Sequence, residues 1–243
     1  MKYCSPTTGW KSHYCMNSPI KIMETGDGSH TLLNVALDET YHSRHGALRE
    51  SEYVFIQQGW HTWLAQHSGA KQIRLLEVGM GTGLNVLLTV REALARPLIE
   101  VHYTTLEPFP LPEETLAALN YQSLLNDETL RAHFNDLHQA PWNTPHPLLP
   151  NFTLNKQRTT LEEYPPPTEK FDLVYFDAFA PNKQAELWEM PMLQKVVNMM
   201  RPSSIFVTYS AKGQLKRDLK ALGLTVETLP GPPGKAEMVR AAK

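Results

Sequence analysis

Residues 73–88, IRLLEVGMGTGLNVLL, decide how the whole chain reads. The first six form a short, mostly apolar run; Gly79, Gly81 and Gly83 follow; from Leu84 the apolar residues Leu84, Leu87 and Leu88 recur at helical spacing. A strand, a glycine-rich turn and a helix in that order open a βαβ unit. Arg91 and Ala95 continue the helical face, Pro97 marks its end, and VHYTTL at 101–106 is the next strand. Glycines tolerate positive φ and let a ligand rest directly on main-chain N–H groups. Dinucleotide sites favour G-x-G-x-x-G, because a pyrophosphate sits on the helix N-terminus. Here the spacing is G-x-G-x-G, with an acid, Glu77, two residues ahead of the first glycine.

Working outward, residues 20–35 hold two β-prone runs around Gly26-Asp27-Gly28-Ser29, a hairpin signal. Residues 46–66 place Val54, Phe55, Trp60, Trp63 and Leu64 for an amphipathic helix that Gly59 weakens. Downstream, helices are expected over 112–125 and 127–138, and an irregular, proline-rich connection over 140–150. A weak strand at 152–156 and a strong one at 171–176 follow, then a helix over 183–200 interrupted near Pro191. The C-terminal part reads as a strand at 205–209, a helix at 214–222 closed by Gly223, and strands at 224–229 and 238–241. The pattern is α/β: a mostly parallel sheet covered on both faces, with the last two strands as an antiparallel edge hairpin and a small β-rich N-terminal extension. The expected division is a poorly ordered segment at 1–19, the extension (hairpin plus helix, covering the active site) at 20–70, and the main domain at 71–243.

Composition excludes several classes. The 243 residues are 42% hydrophobic and 20% charged, ordinary for a globular protein. No apolar run approaches the ~18 residues of a membrane span, and the N-terminus lacks the apolar block of a signal peptide, so a cytoplasmic protein is expected. Cys4 and Cys15, with His13 nearby, do not complete a four-ligand zinc site, so no metal is expected. A net charge of −2 argues against nucleic-acid binding by overall charge, though not against a local basic patch.

The glycine spacing with its preceding acid resembles the first motif of Rossmann-like class I S-adenosylmethionine methyltransferases. That resemblance implies S-adenosylmethionine as cofactor, with Glu77 suited to its methionyl ammonium. Glu107 ends the next strand, where doubly wound nucleoside sites put a carboxylate on the ribose hydroxyls. Asp177 follows the strand FDLVYF, at the carboxyl ends of the strands where reacting groups collect; alternatively, an Asp there is a turn former.

Three further runs carry a more specific resemblance: ETYHSRHGALRESEYVF at 39–55, EVGMGTGLN at 77–85, and DAFAPNKQAELW at 177–188. With the C-terminal order of strand, basic helix, strand, glycine loop and Lys-x-Glu-Met, they resemble the MnmC methyltransferase domain, called MnmD when it stands alone. The resemblance spans about residues 22–241. It implies methylation of the aminomethyl group of 5-aminomethyl(-2-thio)uridine at the wobble position of the tRNA anticodon loop. It also implies no flavin, because the FAD-dependent oxidase domain that follows in two-domain members is not in this sequence, and a separate oxidase upstream. By the same resemblance, Glu77, Gly79, Gly81 and Gly83 match the methionyl-binding loop and Glu107 the ribose acid. Asp177 matches the catalytic acid, and Phe179 and Pro181 its aromatic and proline. Tyr41, Ser43 and Glu50 match the N-terminal block over the site. The family's Gly-Asp near the adenine is replaced by Thr159-Thr160, leaving the Thr160 hydroxyl for the adenine edge.

For tRNA, Lys212, Lys216 and Lys220 share one helical face, with Arg217, Lys235 and Arg240 close in sequence. Phe179, Trp188 and Tyr209 are candidate rings for stacking a flipped base. Two other readings stand beside this one: methylation of a different amine, and a non-catalytic cofactor- or RNA-binding protein.

Overall fold

The computed structural model describes residues 19–125 and 127–243. The expectation for residues 1–19, and the two cysteines, lie outside the described residues except at Pro19.

An eight-stranded sheet runs in the order β10-β11-β9-β8-β4-β5-β7-β6. Its centre is β4 (Gln72–Val78), flanked in parallel by β5 (Glu100–Leu106) and β8 (Phe171–Phe176). β7 (Phe152–Gln157) and β9 (Met200–Thr208) extend it in parallel on either side. The antiparallel hairpin of β10 (Thr225–Pro230) and β11 (Glu237–Ala242) closes one edge, β11 pairing antiparallel with β9. A separate three-stranded antiparallel sheet holds β1 (Ile20–Glu24), β2 (His30–Asn34) and β3 (Glu39–Thr40).

Alternation along the strands divides the core in two. Ile73, Leu75, Tyr103, Tyr175 and Val207 face one layer, and Leu76, Val78, Phe176 and Phe206 face the other. The first layer is a continuous helix α1 over residues 47–66, with α2 (Leu84–Leu94) and α5 (Glu128–Gln139). The second is α6 (Met190–Met199) and α7 (Gly213–Ala221). Between β5 and α5 lie two short helices, α3 (Glu113–Ala117) and α4 (Tyr121–Leu124), where one helix over 112–125 is expected.

Three more expectations are corrected. The connection at 140–150 is not wholly irregular: β6 (His146–Leu149) pairs with β7 as the outer strand. An edge strand tolerates Pro147, since its missing N–H would face outward. The stretch 183–200 is a 3₁₀ turn (Ala185–Trp188) and then α6, with Pro191 in the first turn of α6 instead of interrupting a helix. β9 begins at Met200, five residues earlier than the apolar run, and carries an irregularity around Ser203, which has φ 61°.

Gly59 has a packing reason. Glu52–His61 is π-helical, and a Cβ on Gly59 would stand 3.0 Å from the Tyr175 ring and 3.1 Å from Val207. The missing side chain lets α1 lie directly on β8 and β9.

Candidate active site

β4 is flanked by β5 on one side and β8 on the other, so the chain ends leaving β4 and β8 diverge and open a cleft at their carboxyl ends. The cleft is lined by four groups of residues. Gly79–Gly81 form its floor; Glu107–Phe109 and Thr159–Leu161 one wall; Asp177–Phe179, Gln184, Leu187, Tyr209 and Lys235 the other; Glu39–Ser43 and Glu50 the roof.

The glycines of the loop serve different needs. Gly79, at φ 93°, lets the loop pass β8 closely, since a Cβ would meet the Asp177 carbonyl at 2.6 Å. Gly81, at φ 49°, faces the cleft below Tyr41, whose ring a Cβ would approach to 3.0 Å. Gly83, the N-cap of α2, does not line the cleft; a Cβ there would press on Leu137 and His138 of α5.

Glu107 does line it. Its two carboxylate oxygens accept from the N–H groups of Gly81 (3.1 Å) and Phe109 (2.9 Å). Burial pushes its pKa up to about 7, against the lowering effect of those two N–H bonds. Thr159 and Thr160 stand on the same wall.

Glu77 is elsewhere. Its side chain points to the α2 face of β4 and is fully buried, accepting from Asn85 Nδ2 at 3.1 Å and Thr105 Oγ1 at 2.6 Å. It lies one layer below the cleft, held by neighbours, where a contact to a cofactor ammonium would run through water. Burial pushes its pKa up to about 8, and the charge of Asp177 adds to the rise.

Asp177 lines the cleft, with Oδ2 accepting from the same Asn85 nitrogen at 2.8 Å. Burial first, then the charge of Glu50, raises its pKa to about 7, while the Asn85 hydrogen bond and the Lys235 ammonium act the other way. The loop that carries it is braced from behind: Trp188 Nε1 donates to the Phe179 carbonyl and Tyr209 Oη to that of Ala178, both at 2.8 Å. Trp188 is thus core packing and not a free stacking ring. Phe179 meets Tyr41 edge-on at 5.0 Å between centroids. Pro181 is half-buried and outside the lining.

Glu50 ties the roof to the C-terminal loop. Glu50 accepts from the Ser43 N–H at 2.7 Å and from Lys235 Nζ at 2.5 Å, and that ammonium sits 3.6 Å from the centre of the Tyr209 ring. His42 is buried in the roof, and burial lowers its pKa to about 4, which leaves it neutral.

The basic helix contributes less than its sequence suggests. Lys212 is exposed outside the lining, and Lys216 pairs with Glu237 at 3.0 Å. Arg240 is held by Glu227 at 2.6 Å. Sequence reasoning missed Asn85 altogether; its signal was a polar residue at a helix position between Leu84 and Val86, both buried. Among the described residues, no group of three or more His, Cys, Asp or Glu could hold a metal ion, and no helix is long and apolar enough to cross a membrane.

Comparison with known proteins agrees with this geometry. A family described as S-adenosyl-L-methionine-dependent methyltransferase matches residues 151–243. The tRNA 5-methylaminomethyl-2-thiouridine biosynthesis bifunctional protein MnmC of Aromatoleum aromaticum is 30% identical over 240 residues, 91% of this chain and 35% of that protein. Its namesake from Cupriavidus metallidurans is 28% identical over 235 residues, 90% of this chain and 33% of its own. The chain therefore spans about a third of the length of the curated relatives it matches. Among solved structures, MnmC2 from Aquifex aeolicus superposes with a TM-score of 0.76 at 27% identity, covering 93% of this chain and 70% of that one. The fold is that of a Rossmann-like S-adenosylmethionine methyltransferase.

Proposed function

We propose that this chain, an MnmC-like methyltransferase domain in sequence and fold, methylates the primary amine of 5-aminomethyl(-2-thio)uridine at the tRNA wobble position. The observation that carries this reading is Asp177: a carboxylate at the carboxyl end of a central strand, walled by Phe179, Tyr41 and Tyr209 and facing the glycine floor. An acid among rings suits an alkylamine, which it can hold and relieve of a proton.

The cleft fits S-adenosylmethionine. Gly81 leaves open the space that a Cβ would fill below Tyr41, and Glu107 offers two oxygens to a pair of vicinal hydroxyls. Thr160 would meet the adenine side, and Gly79 and Gly81 the methionyl side. When bound, S-adenosylmethionine supplies an electrophilic methyl group, whose bonding pair leaves with sulfur as the positive sulfonium becomes a neutral thioether.

The residues of this chain then have distinct tasks. An alkylamine is mostly protonated at neutral pH and attacks only as the free base. Asp177, with its pKa raised to about 7 by burial, accepts the amine proton in the range where the exchange is closest to balanced. The surrounding rings exclude water and hold the nitrogen in reach of the methyl group; such positioning supplies much of the acceleration in a displacement. Tyr41, Ser43 and Glu50 form the roof over the base; of the basic helix, Lys212 offers the exposed charge for the tRNA backbone, while Lys216 is paired with Glu237. The aminomethyl precursor comes from an oxidase activity acting upstream, in the cytoplasm, and the transfer itself uses neither flavin nor metal.

The test is methyl transfer to three acceptors: tRNA bearing the 5-aminomethyl group, unmodified tRNA, and a free polyamine. Nucleoside digestion and mass spectrometry should find one added methyl on the aminomethyl nucleoside alone. Transfer to the polyamine alone would replace the tRNA reading, and binding of S-adenosylmethionine without any transfer would favour a non-catalytic protein.

A further inference from the structure

Asn85 stands in the first turn of α2 on the face that packs against the sheet, where a leucine would bury more apolar surface. Its amide nitrogen reaches two acids from strands far apart in sequence: Asp177 Oδ2 at 2.8 Å and Glu77 Oε1 at 3.1 Å. An amide NH₂ has two hydrogens, one for each acceptor. The amide oxygen, by contrast, is buried with no hydrogen-bond partner in the protein. An orphaned buried acceptor carries a stability cost that a core residue chosen only for packing would avoid. The amide orientation is nonetheless set, because turning it would point its oxygen at two carboxyl groups.

We propose that Asn85 is a positioning residue for methyl transfer: its amide ties the Asp177 carboxylate to the buried Glu77 carboxyl, so that the two acids hold one negative charge between them, on the cleft side. This rests on the amine-methyltransferase reading above. Two ionised carboxylates bridged by one nitrogen repel strongly in a buried setting, so one of them keeps its proton. Glu77 is the member that keeps it. It is fully buried beside Tyr103 and Tyr175, and that burial outweighs the hydrogen bonds from Thr105 and Asn85, which favour its charged form. Asp177 carries the charge because it lines the cleft while Glu77 lies a layer below it; the Asn85 donor and the Lys235 ammonium favour its ionised form there against the charge of Glu50. Burial raises the proton affinity of both acids, as two acids that share one proton require. The bridge thus keeps Asp177 ionised and aimed into the cleft, ready to take the amine proton.

The experiment follows single-turnover methylation of aminomethyl-tRNA from pH 6 to 9.5 in wild type, Asn85→Leu and Asn85→Ser, with S-adenosylmethionine affinity measured on each. Removing a donor that favours the charged form raises the Asp177 pKa. The acidic limb of the Asn85→Leu profile should therefore move up by about one pH unit, with the rate recovering at alkaline pH. Asn85→Ser, which keeps a donor, should fall between the two. Carboxyl-carbon NMR titration of Asp177 in the same proteins should show the same upward move, and gives an answer even where turnover is too slow to measure. An unmoved Asp177 titration, or a loss of rate equal at every pH, would overturn the proposal. Absence of transfer by the wild-type protein would instead overturn the reading it rests on.

Discussion

A single carboxylate shows how residue chemistry and position combine at this site. Glu107 ends a strand beside the switch point, so its place is legible from the glycine spacing and the next apolar run. Its two hydrogen bonds, from Gly81 and Phe109, explain why it faces the cleft in one orientation. Glu107→Ala should weaken S-adenosylmethionine binding by about 1.5–3 kcal/mol, the scale of hydrogen bonds to a charged group. Calorimetry checks this, and a change within about 0.5 kcal/mol, the scatter of neutral substitutions, would put the ribose acid elsewhere. Asn85 and Lys235 show what the sequence hides. The partners of Asn85 lie 8 and 92 residues away, and Lys235 meets Glu50 across 185 residues. No local pattern encodes such meetings. Glu77 gives the opposite lesson: its motif position is plain, but which face of β4 it takes depends on the strand's alternation, which sends it toward α2.

At the scale of elements, strands with strong apolar runs were readable and those at the margins were not. FDLVYF is buried on both faces and stands out; HPLL pairs on one side only and carries a proline, so nothing distinguishes it from a loop. Gly59 reads in sequence as a weak point of α1, yet it is where the helix touches the sheet. Gly59→Leu should cost about 1–3 kcal/mol by overpacking against Tyr175 and Val207, despite the better helix propensity of leucine. Urea unfolding measures it, and a gain in stability would show that the contact can give way. The basic helix is the other correction at this scale. Periodicity placed Lys212, Lys216 and Lys220 on one face, but the ion pair of Lys216 with Glu237 depends on the β10–β11 hairpin lying alongside α7.

Over the whole molecule, the alternation of strands and helices made the parallel sheet and its antiparallel edge legible before any coordinate. The closing of the cleft was not. Its roof comes from residues 39–50, its floor from 79–81 and its far wall from 177–179, 209 and 235, and only folding assembles them. Burying two acids in the cleft and a third beneath it has a measurable consequence. Glu77, Glu107 and Asp177 have native pKa values raised to about 8, 7 and 7, above their values in the unfolded chain. Between about pH 4 and 8 the native state therefore binds more protons than the unfolded one, and stability falls as pH rises. Chemical unfolding of the ligand-free protein at pH 5 and pH 8.5 should show that decline, and Asp177→Asn should flatten part of it; a stability that rises through this range in both would contradict the burial of these groups. The central claim, that this cleft transfers a methyl group to an amine held by Asp177, is tested most directly by one comparison. Single-turnover methylation of aminomethyl-tRNA is measured for wild type and Asp177→Ala, with S-adenosylmethionine affinity determined on the same preparations. The variant should bind S-adenosylmethionine nearly as well and transfer methyl 10²–10⁴-fold more slowly, the usual range for a positioned proton acceptor (about 3–5 kcal/mol). Turnover close to wild type, with affinity unchanged, would make Asp177 a turn former and contradict the account.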